Sequence, residues 1–273
     1  MTSKTDKTSS LIKTFHADQL RVSVHRSTRQ MAAAAASEVT VEMRRLIAER
    51  GRAIALFASG SSKEAREGLS EFLDCLVKTA GIEWTRVIGF QLEEYVGLDE
   101  DAAQSVRRFL LDRLVTRVPM AEFHGIRGEA ANPAAVCDNY AALLGSRPPD
   151  FAVLGIDEDG RLGFDCSPAG GDPNPARVVK LDKAFRLQQV RDGLFTSLAA
   201  APRRAISLAL PAILACPRLF AIASGAKMSQ AVRDCLQGKI ATTCPASLLR
   251  THAGADLFLD RDAAAMLLNK PEP

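Results

Sequence analysis

No apolar run in this 273-residue chain approaches the ~20 residues of a membrane-spanning helix, and the opening MTSKTDKTSSLIKT lacks the apolar core of a signal peptide. Cys75, Cys137, Cys166, Cys216, Cys235 and Cys244 are scattered, with no CxxC pair and no histidine at metal-ligand spacing, which excludes a zinc-ribbon or disulfide framework. Charge is not blocked either. The net value is only +3, with Lys, Arg, Asp and Glu interleaved, so the electrostatic footprint of a nucleic-acid or anionic-membrane binder is missing. No internal repeat is evident. These absences lead to the expectation of reduced thiols in a cytoplasmic protein, with no nucleic-acid or membrane partner. Small anions stay open as ligands.

What is present is enough apolar material, 47% of residues, for a sizeable core. Residues 1–16 read as a flexible tail and 17–273 as one domain, since composition nowhere shifts enough to mark a linker. Gln19 to His25 alternates like a half-buried strand, and the Ala-rich Thr28 to Arg50 has helical spacing that Gly51 stops. Arg52 to Phe57 then reads as a strand, Ala58 to Ser62 as a small-residue loop and Glu64 to Thr79 as an amphipathic helix. The unit recurs with Trp84 to Leu92 as strand and Ala103 to Arg117 as helix, followed by a strand at Phe151 to Ile156. Ala205 to Ala215 reads as helix, Pro217 to Ala223 as strand, Lys227 to Gln237 as helix and Ala255 to Leu259 as a last strand. Strands alternating with helices imply an α/β fold: a mainly parallel, Rossmann-like sheet with helices on both faces, in a single domain.

Three clusters sit where such a sheet places chemistry. The loop Ala58-Ser59-Gly60-Ser61-Ser62-Lys63 separates a strand from a helix start, where backbone N–H groups, hydroxyls and the helix dipole can hold a phosphate. It lacks the Walker spacing, and a bare cap by Ser61 or Ser62 with a turn at Gly60 is the competing reading. A further loop of this kind, Ala223-Ser224-Gly225-Ala226-Lys227, adds a cation. Gln91 to Leu98 (QLEEYVGL) puts paired carboxylates just past a strand, one of which could serve as a base if burial raised its pKa. The third cluster, Asp157, Glu158 and Asp159, follows a buried-strand candidate but lacks the DxDxDG order of a calcium loop.

FASGSS, FQLEEYVGLDEDAAQS, LGIDEDGRLGFD, LDKAFRLQQV, ASGAK and PASLLRTH occur in the order and spacing of the glucosamine-6-phosphate deaminase/isomerase family, which this chain resembles over roughly residues 19–265. That family shares a fold with the 6-phosphogluconolactonases, and the EEYVGL and PASLLRTH segments favour its deaminase branch. The resemblance implies that Ser59, Gly60, Ser61 and Ser62 cradle a sugar phosphate and that Lys227 adds positive charge. It also implies a phosphate-binding arginine, with Arg186 fitting the motif best and Arg191 as the alternative. The family's proton-shuttling aspartate falls on Glu93, and Asp159 matches the aspartate before Gly160. Its ring-opening histidine falls on Arg161 and that histidine's acidic partner on Cys166. A guanidinium stays protonated throughout the physiological range and cannot perform the proton cycle of an imidazole. Cys166 reads either as a thiol that ionises beside Arg161 or as a small apolar residue.

The four histidines, His16, His25, His124 and His252, lie elsewhere, and only His252 falls in a matching segment. The implied function is a protein acting on or binding a hexosamine or hexose 6-phosphate, its isomerase/deaminase activity altered or reduced. A non-catalytic sugar-phosphate sensor and a 6-phosphogluconolactonase-like hydrolase are the alternatives. No metal or organic cofactor is needed for such proton transfer. A homo-oligomer stays open.

Overall fold

The computed structural model describes residues 10–164 and 174–268, so Cys166 and residues 1–9 of the expected tail lie outside the described residues. The chain opens with an antiparallel hairpin of β1 (Leu11–Ala17) and β2 (Leu20–His25). Helix α1 (Thr28–Arg50) follows. The Ser27 side chain accepts from the Gln30 N–H at its start, and Gly51 closes it with a positive φ of 74° and an N–H bond to the Ile47 carbonyl. Its apolar positions, from Met31 and Ala35 through Val39 and Met43 to Leu46, are buried, and the helix packs on the core along that stripe.

Next come β3 (Ala53–Phe57), α2 (Lys63–Lys78), β4 (Val87–Gln91), the short β5 (Glu93–Tyr95), α3 (Val106–Arg113), β6 (Glu122–His124), α4 (Pro133–Ser146) and β7 (Phe151–Gly155). The later half contains β8 (Ala176–Lys180), α5 (Lys183–Arg191), β9 (Arg204–Leu208), α6 (Leu210–Leu214), β10 (Arg218–Ala223), α7 (Ser229–Gln237) and β11 (Ala255–Asp260). Eight strands form the main sheet in the order β1-β2-β11-β10-β7-β3-β4-β6, parallel except for the β1–β2 hairpin. The expected mainly parallel α/β domain is what the chain forms.

Topology decides where the site lies. After β3 the chain adds β4 and then β6 on one flank. It then crosses to β7 on the other flank of β3 and builds outward through β10 and β11. Strand order therefore reverses between β3 and β7, and open α/β sheets bind ligands in the crevice beyond the carboxyl ends of such strands.

Two expectations are corrected. Ala205 to Ala215 is not one helix: Arg204–Leu208 is strand β9, and only Leu210–Leu214, with Pro211 in its first turn, is helical. Residues 205–210 are buried without a break, and such an apolar run carries no periodicity that separates strand from helix. Together β5, β9 and β8 form a separate, antiparallel sheet that sequence patterning did not signal. Likewise residues 11–16, placed in the flexible tail, belong to edge strand β1. Its side chains are mostly exposed, so backbone pairing to β2 holds it without a buried face to announce it.

Candidate active site

At the carboxyl end of β3, Gly60 turns the chain with φ of 76°, and a Cβ there would lie 2.7 Å from the Ala65 carbonyl carbon. Only glycine lets the loop fold back onto the first turn of α2. The Ser62 side chain caps that helix by accepting from the Ala65 N–H at 3.2 Å. Both readings of this loop meet a third occupant. Phe57 pairs with Val153 across β3 and β7, so the same offset carries Asp157 opposite Ser61. The Asp157 carboxylate accepts from the Ser61 hydroxyl at 2.5 Å, from the Ser62 N–H at 2.9 Å and from the Ser61 N–H at 3.3 Å. Burial pushes its pKa up, opposed by the Ser61 and Ser62 bonds. An internal carboxylate thus already engages the inner donors of the loop.

The paired glutamates have different surroundings. Glu94 accepts from the Gln91 amide, the Ser105 hydroxyl and the backbone N–H groups of Tyr95, Val106 and Arg107, at 2.7 to 3.1 Å. It anchors the start of α3. Glu93 is equally buried, but its Oε1 accepts only the Ser59 N–H, at 3.3 Å, and its Oε2 has no hydrogen-bond partner. Gly163, with φ of 129°, faces that oxygen: a Cβ there would stand 3.2 Å from Oε2 and 2.6 Å from Leu92 Cδ2. Burial pushes the Glu93 pKa up to about 8, aided by the negative charges of Asp157 and Glu94 and opposed by the Ser59 N–H and by Arg66. A carboxyl in this state can hold or release a proton near neutrality.

Below the same crevice, Arg161 is buried and grips Asp159, with Nε 2.9 and 2.8 Å from the two carboxylate oxygens and Nη2 2.5 Å from Oδ2. Its guanidinium carbon stands 4.4 Å from the centre of the Phe185 ring, a cation–π arrangement. The Gly160 carbonyl accepts from the Ala246 N–H at 2.8 Å, tying this loop to the PASLLRTH segment. His252 in that segment is used structurally: Nε2 pairs with the Cys216 carbonyl at 3.0 Å and Nδ1 with the Gly254 N–H at 3.1 Å.

The expected phosphate cations are engaged within the protein. Arg186 donates to the carbonyls of Leu198 and Ala201, including an Nε bond of 3.1 Å to the latter. Arg191 donates to both Glu158 oxygens at 2.7 and 2.6 Å. The Lys227 ammonium sits 3.1 Å from Asp192, 3.8 Å from Glu158 and 3.9 Å from Glu64. The crevice therefore gathers Ser59, Gly60, Ser61, Ser62 and Glu93, with Asp159 and Arg161 on the neighbouring loop. Lys227 and Arg191 form an ion-pair cluster around Glu158 and Asp192, and Asp192 also accepts from the Lys63 N–H at 3.3 Å. Sequence reasoning missed Asp157 as the loop's partner and Arg66 as a charge acting on Glu93. The role of Asp157 depends on strand register, and Arg66 occupies a helix position whose pattern reads as solvated.

Residues 26–169 match the family described as glucosamine-6-phosphate isomerases/6-phosphogluconolactonase. The glucosamine-6-phosphate deaminase of Pseudarthrobacter chlorophenolicus is 34% identical over 190 residues, covering 68% of this chain and 72% of its own length. This chain belongs to the glucosamine-6-phosphate isomerase/6-phosphogluconolactonase family. Another member, the glucosamine-6-phosphate deaminase of Lactococcus lactis subsp. lactis, is 32% identical over 200 residues, with 73% of this chain and 83% of that protein covered. Among solved structures of the family, a monomeric glucosamine-6-phosphate deaminase superposes with a TM-score of 0.77 at 26% identity, covering 90% of this chain and 99% of that one. A 6-phosphogluconolactonase from Shewanella baltica shares the fold, with a TM-score of 0.72 at 18% identity over 90% of this chain and 100% of its own. Both branches of the family are thus represented by the same architecture. Among the described residues no helix is long and apolar enough to cross a membrane.

Proposed function

We infer that this chain acts on a hexosamine or hexose 6-phosphate by proton transfer between neighbouring carbons, with Glu93 as the acid–base group. The observation that carries this reading is the Glu93 carboxyl itself: buried at the strand-order reversal, one oxygen without a partner and facing a glycine, its pKa pushed up to about 8. On the open-chain aldose, the Glu93 carboxylate would take the C2 proton while the C1 oxygen gains a proton from water, giving the C1–C2 enol; Glu93 would then return its proton to C1 as the C2 substituent forms its double bond to C2, a C2 hydroxyl losing its proton to the hydroxide left by that water and a C2 amino group becoming the iminium. An amino group at C2 would leave afterwards by hydrolysis of the resulting imine. One residue can serve both steps because donor and acceptor carbons are adjacent.

Arg161 stands where the resemblance puts a histidine. Paired to Asp159 and stacked on Phe185, it can hold an anion or orient the loop, but it cannot exchange a proton at neutral pH. Ring opening is therefore spontaneous or assisted by water or another residue, and turnover is expected to be slower than in a site with a positioned acid–base pair by ~10²–10⁴-fold. The same pair supports an alternative reading, a sugar-phosphate sensor that binds without turning over.

Solvent deuterium separates the two. With glucosamine 6-phosphate, the enzyme should exchange the C2 proton, increasingly as pH rises toward and past 8. Glu93→Gln should abolish the exchange and leave ligand affinity within about threefold. No exchange in the unmodified protein despite saturable binding would establish the sensor. Exchange undiminished in Glu93→Gln would remove Glu93 as the base.

A further inference from the structure

Opposite Glu93 in the small antiparallel sheet stands Ser207 of β9. The ladder bonds around this pair fix how close the two side chains are. Leu208 donates its N–H to the Leu92 carbonyl at 3.0 Å, and Val96 donates to the Arg204 carbonyl at 3.0 Å. Rungs of an antiparallel ladder alternate, so Glu93–Ser207, next to the first of these bonded rungs, is a rung without backbone bonds. In such rungs the facing side chains stand closest, with Cβ atoms about 4.5–5.5 Å apart.

We infer that Ser207 is the positioning residue for Glu93: its hydroxyl accepts a hydrogen bond from the neutral carboxyl and, once that carboxyl has lost its proton, turns to donate one to Oε2. The inference rests on Glu93 as the acid–base group proposed above and adds the residue that steadies it in both protonation states.

The carboxyl lacks a partner on this side. Its Oε1 accepts the Ser59 N–H, whereas Oε2 is buried without a hydrogen bond. A buried oxygen in this state gains from any donor that can reach it. Ser207 has such a donor to redirect. It is fully buried, the one polar side chain in the apolar stretch 205–210, and its hydroxyl is spent on the carbonyl of the next residue, Leu208, at 3.1 Å. A serine hydroxyl carries one donor proton and two acceptor lone pairs, and rotation of its side chain re-aims it without moving the strand. While it donates to Leu208 it can still accept from a neutral carboxyl, so the exchange of bonds is needed only on ionisation. No side chain stands between the two oxygens. A Cβ on Gly163 would lie 3.2 Å from Glu93 Oε2 and 3.6 Å from Ser207 Oγ, so both border the one spot that glycine leaves open.

A hydrogen bond to the ionised form favours that form, so the hydroxyl works against the burial of Glu93. Around the carboxyl stand Asp157 after β7, Glu94 and Tyr95 on its own strand, Arg66 on α2, Arg177 as the next residue in the same cross-strand row on β8, and the Asp159–Arg161 pair on the neighbouring loop. A substitution at Ser207 leaves all of these in place.

The test follows the Glu93 carboxyl itself and so does not depend on turnover. In protein carrying carbon-13 at its glutamate carboxyls, the Glu93 signal is identified by its loss in Glu93→Gln. Its titration midpoint should move up by about one pH unit in Ser207→Ala and stay within about 0.3 unit of the parent in Ser207→Thr, which keeps the hydroxyl. Ser207→Cys, close to serine in size but a weak donor, should shift the midpoint as Ser207→Ala does. Exchange of the C2 proton of glucosamine 6-phosphate should follow: at about pH 7 the Ser207→Ala rate falls about tenfold with KM within about twofold, and the deficit closes as pH passes the new midpoint. An unmoved midpoint in Ser207→Ala or Ser207→Cys overturns the inference, and so does an equal shift in a well-folded Ser207→Thr, which traces the effect to packing. A midpoint that moves as expected in a protein whose parent exchanges no C2 proton keeps Ser207 as the partner of the carboxyl and overturns Glu93 as the base. Normal exchange with an unmoved midpoint leaves Glu93 standing without Ser207.

Discussion

Glu93 and Glu94 are neighbours in the chain, both buried and both in β5, yet five donors converge on Glu94 and a single N–H meets Glu93. The difference comes from strand alternation. Successive side chains point to opposite faces, so Glu94 is directed at the start of α3, where helix N-terminal N–H groups await an acceptor. Glu93 is directed into the crevice under the Ser59 turn, where burial raises its pKa, the Ser59 N–H and Arg66 oppose the rise and the charges of Asp157 and Glu94 add to it. One carboxylate is a structural cap, the other a buried carboxyl with one oxygen left without a hydrogen-bond partner.

The largest loss of stability in this comparison should come from the well-bonded partner. Glu94→Ala strands the Ser105 hydroxyl and the N–H groups of Val106 and Arg107. The expected cost is about 3–4 kcal/mol, or roughly 10 °C in Tm for a chain of this size. Thermal and urea unfolding measure it. A loss below about 1 kcal/mol would show that water replaces the carboxylate and that the cap is dispensable.

Glu93→Gln should do the reverse, and only at the right pH. Because the folded-state pKa, about 8, lies above the ~4.3 of an unfolded glutamate, the native state binds the extra proton between those values. Stability from this group is therefore full below about pH 4 and is lost as pH rises through 8. Gln, neutral throughout, should stabilise by several kcal/mol at pH 8, with about 5 kcal/mol as the upper bound set by the shift, and by little at pH 4. Asp157, also raised, acts in the same direction and remains in the variant. A Tm difference between variant and parent that is equal at both pH values would mean that Glu93 is ordinarily solvated.

The pattern of the chain carried part of this and missed the rest for identifiable reasons. β3, β7 and β10 are apolar runs bounded by glycine or serine loops, and α1 and α2 have clear stripes and caps, so the parallel framework and the loops at its carboxyl ends were readable. The resemblance brought Glu93, Asp159 and Arg161 to one region. Periodicity alone did not tell which of the two adjacent glutamates faces the crevice, and only the resemblance singled out Glu93, because β5 is three residues long and its partner β9 lay in an apolar run without strand alternation. Nor could Asp157 be assigned to Ser61 and Ser62 without the β3–β7 register. Arg66 follows the same logic: the amphipathic pattern of α2 marks an arginine there as solvent-facing, whereas its Nη2 is enclosed beside Phe109.

The smallest expected effect gives the finest resolution of the two glutamates. Ser105 caps α3 by accepting from the Arg108 N–H at 3.1 Å while its hydroxyl donates to Glu94 at 2.9 Å, and no contact links it to Glu93. Ser105→Ala should cost about 1 kcal/mol alone, the usual value of a lost N-cap. Combined with Glu94→Ala, the two changes should cost less than their sum, because the hydroxyl's acceptor is already gone and part of its contribution with it. Combined with Glu93→Gln, they should add to within about 0.5 kcal/mol, since the pair shares no partner. Urea unfolding at about pH 7 of the single and double variants against the parent decides the matter. Coupling of Ser105 to Glu93 as strong as to Glu94 would mean that β5 responds as one unit and that the separation between the cap and the other carboxyl does not hold.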